Sequence, residues 1–141
     1  MRADDVQGAG AACLILVVED EPQVLQFAVT ALEDFGYRTL TATNAAEALE
    51  HLNQRSRDID LVVTDVKMPG DMDGAELAFT VHSRWPTIGL IVLSGYFDPK
   101  ISRLPMGCAF LAKPYRLPDL LLMINQQLGF LSVAKPASKL R

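Results

Sequence analysis

Cysteine is scarce in this chain: there are two in 141 residues, Cys13 and Cys108. Each sits in apolar surroundings that read as strand, where a thiol behaves as a small core residue, and two isolated cysteines make no secreted disulfide framework. Long apolar runs are missing as well. No stretch approaches the ~20 residues that a membrane helix needs. The opening MRADDVQGAGAA carries two acids and no apolar segment of signal-peptide length, so the expectation is a cytoplasmic chain with no membrane partner. Excess positive charge is lacking too. Thirteen Lys and Arg stand against seventeen Asp and Glu, a net charge of -4, which argues against a nucleic-acid partner because such proteins carry a basic face to neutralise phosphates. No internal repeat is visible.

What is present is a globular composition, 50% hydrophobic and 21% charged, at a length that fits one domain with a core of its own. Residues 1–12 read as a loose N-terminal segment, 13–128 as the domain, and the small, polar, basic stretch 129–141 as a tail or linker. CLILVV (Cys13 to Val18) is a continuous apolar run, as expected of a strand covered on both faces. Pro22 opens a helix whose Val24, Leu25, Ala28, Leu32 and Phe35 recur at helical spacing until Gly36 closes it. YRTLTAT (Tyr37 to Thr43) reads as a second strand, and Asn44 with Glu47 as a capping-box-like start of a second helix. IDLVVT (Ile59 to Thr64) is a third strand that stops at Asp65. Asp73 caps a third helix, with Glu76 near its third position and Trp85-Pro86 at its end. IGLIVLS is a fourth strand and CAFLA (Cys108 to Ala112) a fifth. Between them Pro99 and Pro105 leave a helix room for about two turns. Pro118 starts a last helix through Leu120, Leu121, Ile124 and Leu128. His51 and His82 lie on helix surfaces and read as solvated.

Strands alternating with helices predict an α/β domain: a five-stranded parallel sheet with right-handed crossovers and helices on both faces. In such sheets the functional crevice lies beyond the carboxyl ends of the strands. Those ends carry Glu19, Asp20 and Glu21 after the first strand, Asp65 after the third, Ser94 after the fourth and Lys113 after the fifth. If the strand order is 2-1-3-4-5, one crevice gathers these carboxylates, a hydroxyl and an ammonium. Clustered carboxylates call for a counter-charge, and Mg²⁺ supplies one while leaving a place for a phosphoryl oxygen. Asp65 can then act as a nucleophile on phosphorus, with Ser94 and Lys113 meeting the charged oxygens of the transferred group.

The stretches LILVVEDEP, LVVTDVKMPGDMDG, LIVLSGY and FLAKPY resemble, in order, the receiver domain of two-component response regulators, over about residues 13 to 128. The resemblance implies a flavodoxin-like doubly wound fold of order 2-1-3-4-5 and a phosphoacceptor that catalyses only its own phosphorylation and dephosphorylation. It implies Asp65 as acceptor, Asp20 as a direct Mg²⁺ ligand, Glu19 as its helper through water, and the backbone carbonyl of Lys67 as a further metal ligand. Ser94 takes the place of the switch hydroxyl, Gly95 leaves the phosphoryl group accessible, Phe110 stands at the switch aromatic and Lys113 contacts phosphate. The Lys113–Pro114 bond is usually cis in this family. The implied partners are a histidine kinase or phosphotransfer protein upstream and another protein downstream. The expectation is therefore a single-domain regulator or the receiver part of a hybrid kinase, since the residues given after the last helix are too few for a DNA-binding domain. Three features depart from the commoner pattern. MPGDMDG carries one extra residue, the stretch from Ser94 to Lys113 is short, and Phe110 has no hydroxyl. The alternative, an aspartate-nucleophile small-molecule phosphohydrolase, places an acid two residues after its nucleophile, where this chain has Lys67.

Overall fold

Five short strands alternate with helices to build one doubly wound sheet. The computed structural model describes residues 13–95 and 104–134, with side chains to residue 129. The strands are β1 (Leu14–Val18), β2 (Arg38–Ala42), β3 (Leu61–Asp65), β4 (Gly89–Ser94) and β5 (Ala109–Ala112). Among the described residues the helices are α1 (Pro22–Asp34), α2 (Ala45–Arg55), α3 (Gly74–Arg84) and α4 (Leu117–Ala134). All strand pairs are parallel and the order is β2-β1-β3-β4-β5, as the sequence predicts. Residues 1–12, the expected short helix between Ser94 and Cys108 across residues 96–103, and the last part of the tail, 135–141, lie outside the described residues.

The apolar runs of β1, β3 and β4 are covered on both sides, because alternate side chains leave opposite faces of the pleat. Leu14, Leu16, Val18, Val62, Leu90 and Val92 pack one face against α2 and α3, through Ala48, Leu52, Leu77 and Val81. Ile15, Val17, Leu61, Val63, Ile91 and Leu93 pack the other against α1 and α4, through Ala28, Leu32, Leu120 and Ile124. At the far end of the sheet from the crevice, the buried Asp60 carboxylate accepts from the Leu14 N–H at 3.0 Å.

The helix starts follow their caps. Pro22 stands at the start of α1. At α3, Asp73 and Glu76 form a full capping box, with Glu76 N–H donating to Asp73 Oδ1 at 2.9 Å and Asp73 N–H to Glu76 Oε1 at 3.0 Å. At α2, Asn44 Oδ1 accepts from Glu47 N–H at 2.8 Å, but the Glu47 carboxylate reaches past the cap to Thr43 N–H and its hydroxyl, at 2.7 and 2.9 Å.

Several sequence expectations shift. Phe35 is 53% exposed instead of sharing the apolar side of α1, because the helix ends at Asp34 and Phe35 caps it in non-helical geometry. Helix α4 runs on past Leu128 to Ala134. A glycine inside a helix costs only about 1 kcal/mol, and Gly129 lies in open space. His51 is half-buried, its Nε2 2.9 Å from the Thr41 carbonyl oxygen of edge strand β2. Cys13 and Cys108 each fall one residue before their strand, half-buried, and neither is in a disulfide.

Candidate functional site

The carboxyl ends of β1, β3, β4 and β5 converge where the sheet's connectivity reverses between β1 and β3. β1 ends at Val18, so Glu19 and Asp20 begin the turn into α1; Asp65 is the last residue of β3 and Ser94 the last of β4. The Lys113 N–H donates to the Ser94 carbonyl at 2.7 Å, which ties the end of β5 to the end of β4, and the Lys113–Pro114 bond is cis.

Oxygens of Glu19, Asp20 and Asp65 lie within 4.8 Å of one another. Glu19 and Asp65 are buried, at 4% and 8% exposure, while Asp20 is open to solvent. Lys113 reaches in from β5, its Nζ 3.0 Å from both Asp65 oxygens and 3.7 Å from Glu19 Oε1. Burial pushes the Glu19 carboxyl above its ordinary range; the Asp65 and Asp20 charges add to this, while the Glu21 N–H at 3.1 Å and Lys113 oppose it. For Lys113 burial acts downward, but the hydrogen bond and charge of Asp65, with the Glu19 charge, outweigh it and the ammonium is held above its ordinary value. Among the described residues Lys113 thus meets two of the three clustered carboxylates, Glu19 and Asp65. The donor set is all oxygen and leaves negative charge in excess, which fits a hard divalent cation such as Mg²⁺ and not a soft metal.

The sequence-derived residues are thus brought together in large part. Glu19, Asp20, Asp65 and Lys113 form one cluster. Ser94 is buried beside it at the end of the neighbouring strand, and Gly95 follows, exposed, with room around its Cα. Lys67 follows Asp65 by two residues with an exposed side chain. Phe110 stands apart from the cluster. It is 37% exposed in edge strand β5, in register with Val92 of the face that carries α2 and α3.

One residue that shapes the site escapes a reading by residue type. Gly74 opens α3 directly against the backbone of β3, and a Cβ there would overlap the Asp65 carbonyl oxygen. Its N–H donates to the Val66 carbonyl at 2.8 Å. The available signal was a glycine at the first position of a helix just after a capping aspartate, where better helix formers are ordinarily placed.

Comparison with known proteins places this sheet and its acidic crevice in a class, the receiver domains of two-component signalling. The chain belongs to the response regulator receiver domain family, whose model matches residues 15–125. It is 35% identical over 130 residues to the sensor kinase CckA of Brucella abortus, covering 90% of this chain and 13% of the kinase. It is 33% identical over 117 residues to the response regulator receiver protein CpdR of the same organism, covering 81% of this chain and 95% of that protein. A solved receiver domain protein from Clostridium thermocellum superposes with a TM-score of 0.81 at 30% identity, over 87% of this chain and 99% of that one. The chain therefore spans a small part of the kinase and nearly the whole of CpdR. Receiver domains bind Mg²⁺ at an acidic pocket and work with histidine kinases or phosphotransfer proteins. This membership leaves the phosphohydrolase alternative without support. Among the described residues no helix is long and apolar enough to cross a membrane.

Proposed function

We propose that Asp65 is the phosphoryl acceptor and that Glu19, Asp20 and Asp65, with the backbone carbonyl of Lys67, hold Mg²⁺. Bound there, the ion would supply neutralising charge and a contact to a phosphoryl oxygen. An Asp65 oxygen attacks the phosphorus of a phosphohistidine on a histidine kinase or phosphotransfer protein. The P–N bond breaks as the P–O bond forms, and the imidazole leaves with the electron pair. Lys113 holds the carboxylate by its hydrogen bonds before transfer and meets a phosphoryl oxygen after it, while the Ser94 hydroxyl donates to another. Gly95 leaves the approach open.

The observation that carries this reading is the Lys113 ammonium 3.0 Å from both oxygens of a buried aspartate inside an acid cluster. Output would follow movement of Ser94 and of Phe110, whose ring can swing between core and solvent without a hydroxyl to anchor it. A downstream protein reads the change, and no nucleic acid is contacted directly. The chain catalyses nothing beyond its own phosphorylation and dephosphorylation. Similarity both to a sensor kinase and to a receiver protein of nearly this length suits either a single-domain regulator or the receiver part of a hybrid kinase. Acetyl phosphate with Mg²⁺, read by intact mass, tests the acceptor. The wild type should gain one phosphoryl group and Asp65→Asn none; a labelled Asp65→Asn would move the acceptor elsewhere.

A further inference from the structure

Two features converge on one atom that takes no part in the chemistry, the backbone carbonyl oxygen of Asp65. Asp65 lies one residue past the last β1–β3 pair, Val18 with Thr64, while still in register with Leu93 of β4. There the Thr64 hydroxyl donates to the Asp65 carbonyl at 3.0 Å, from a side chain with no solvent exposure. Gly74, at the first turn of α3, is packed so close to the same oxygen that no larger residue fits. The carbonyl is therefore both crowded and hydrogen-bonded, and the carboxylate projects from the adjoining Cα. A small rotation of that peptide would swing the carboxylate away from Lys113, 3.0 Å distant, and from the acids that share its crevice.

We infer that Thr64 is a positioning residue for phosphoryl acceptance: its hydroxyl holds the Asp65 carbonyl against the start of α3 and so sets the pose of the acceptor carboxylate. The inference rests on Asp65 being the acceptor. A valine would serve equally if Thr64 only filled core volume, since the two side chains have nearly the same shape. Valine instead leaves a buried carbonyl without its donor, and the peptide turns to find another partner. In-line attack on phosphorus is sensitive to displacements of about 1 Å, which can cost 100-fold in rate.

The test is the rate of phosphorylation by acetyl phosphate at fixed Mg²⁺ for wild type, Thr64→Val and Thr64→Ser, with urea unfolding of each. Thr64→Val is expected to slow roughly 10- to 100-fold. Thr64→Ser loses a buried methyl group, so it should unfold at lower urea yet keep the wild-type rate. That crossing separates the hydroxyl from stability, and Thr64→Ser alone decides the matter if Thr64→Val does not fold. A Thr64→Val rate equal to wild type, or a Thr64→Ser rate that drops with its stability, overturns the inference while leaving Asp65 as acceptor. A wild type that gains no phosphoryl group overturns the acceptor reading, and the inference with it.

Discussion

The Lys113 ammonium stands among carboxylates that would otherwise repel one another, and it is only partly open to water, at 27% side-chain exposure. Removing it as Lys113→Ala leaves buried Glu19 and Asp65 with no cation at hydrogen-bonding distance among the described residues. In metal-free buffer the variant should lose about 1–3 kcal/mol in urea unfolding, and the gap to wild type should narrow when Mg²⁺ is added, because the ion supplies the same counter-charge. A loss that stays the same with and without Mg²⁺ would mean that Lys113 stabilises by packing instead. A second residue-scale prediction concerns Cys108. Burial pushes its thiol up to about 12, so in the folded protein the nucleophilic thiolate is scarce at neutral pH. Alkylation at about pH 8 should be slow in the native protein and fast in urea. The sign of the linkage follows from the raised value. The contribution of the neutral thiol is fully present below the ordinary thiol range and is lost as pH rises through about 12. Cys108→Ala should thus show a shallower fall in stability across that alkaline window than wild type, as read by urea midpoints.

At the scale of elements, α3 joins two opposed demands at its first turn. Asp73 caps it in the ordinary way, and Asp73→Ala should cost about 1 kcal/mol in urea unfolding. Propensity alone would favour Gly74→Ala by up to about 1 kcal/mol. The Asp65 carbonyl occupies the place of the added methyl, and a backbone atom cannot rotate away. Gly74→Ala should therefore destabilise by about 3 kcal/mol or more, and a stabilised variant would refute the close approach. This contrast also explains what was legible in the sequence. Strand ends could be read because apolar runs stop abruptly at Glu19, Asp65 and Lys113, and buried β1, β3 and β4 admit little else. The caps of α2 and α3 could be read because Asn44, Asp73 and Glu76 are short-range signals. Gly74 could not, since its reason is a contact with another element. Nor could the exposure of Phe35 or the extension of α4 past Gly129, because periodicity does not specify the turn at which a helix leaves the sheet.

The order β2-β1-β3-β4-β5 does for the whole molecule what no local segment can: it brings acids from two strand ends and a lysine from a third to one crevice. Their mutual repulsion is held in place by two cores packed on opposite faces of the sheet. Folding energy thus maintains a site that is electrostatically unfavourable on its own, and a cation that binds only the folded chain should return part of that cost. By mass action, Mg²⁺ at ten times its dissociation constant adds about 1.4 kcal/mol to unfolding. A thermal melt should therefore shift upward with Mg²⁺ and return to its starting point with a chelator. Asp20 is the discriminating residue because it is exposed, so Asp20→Ala removes a proposed ligand without opening the core. Its metal-free stability should equal or exceed that of wild type, since one repelling charge is gone, and its Mg²⁺-dependent shift should be largely lost. If Asp20→Ala kept the full shift, the ion would be stabilising the protein from somewhere other than this crevice, and the link between strand order and metal binding would not hold.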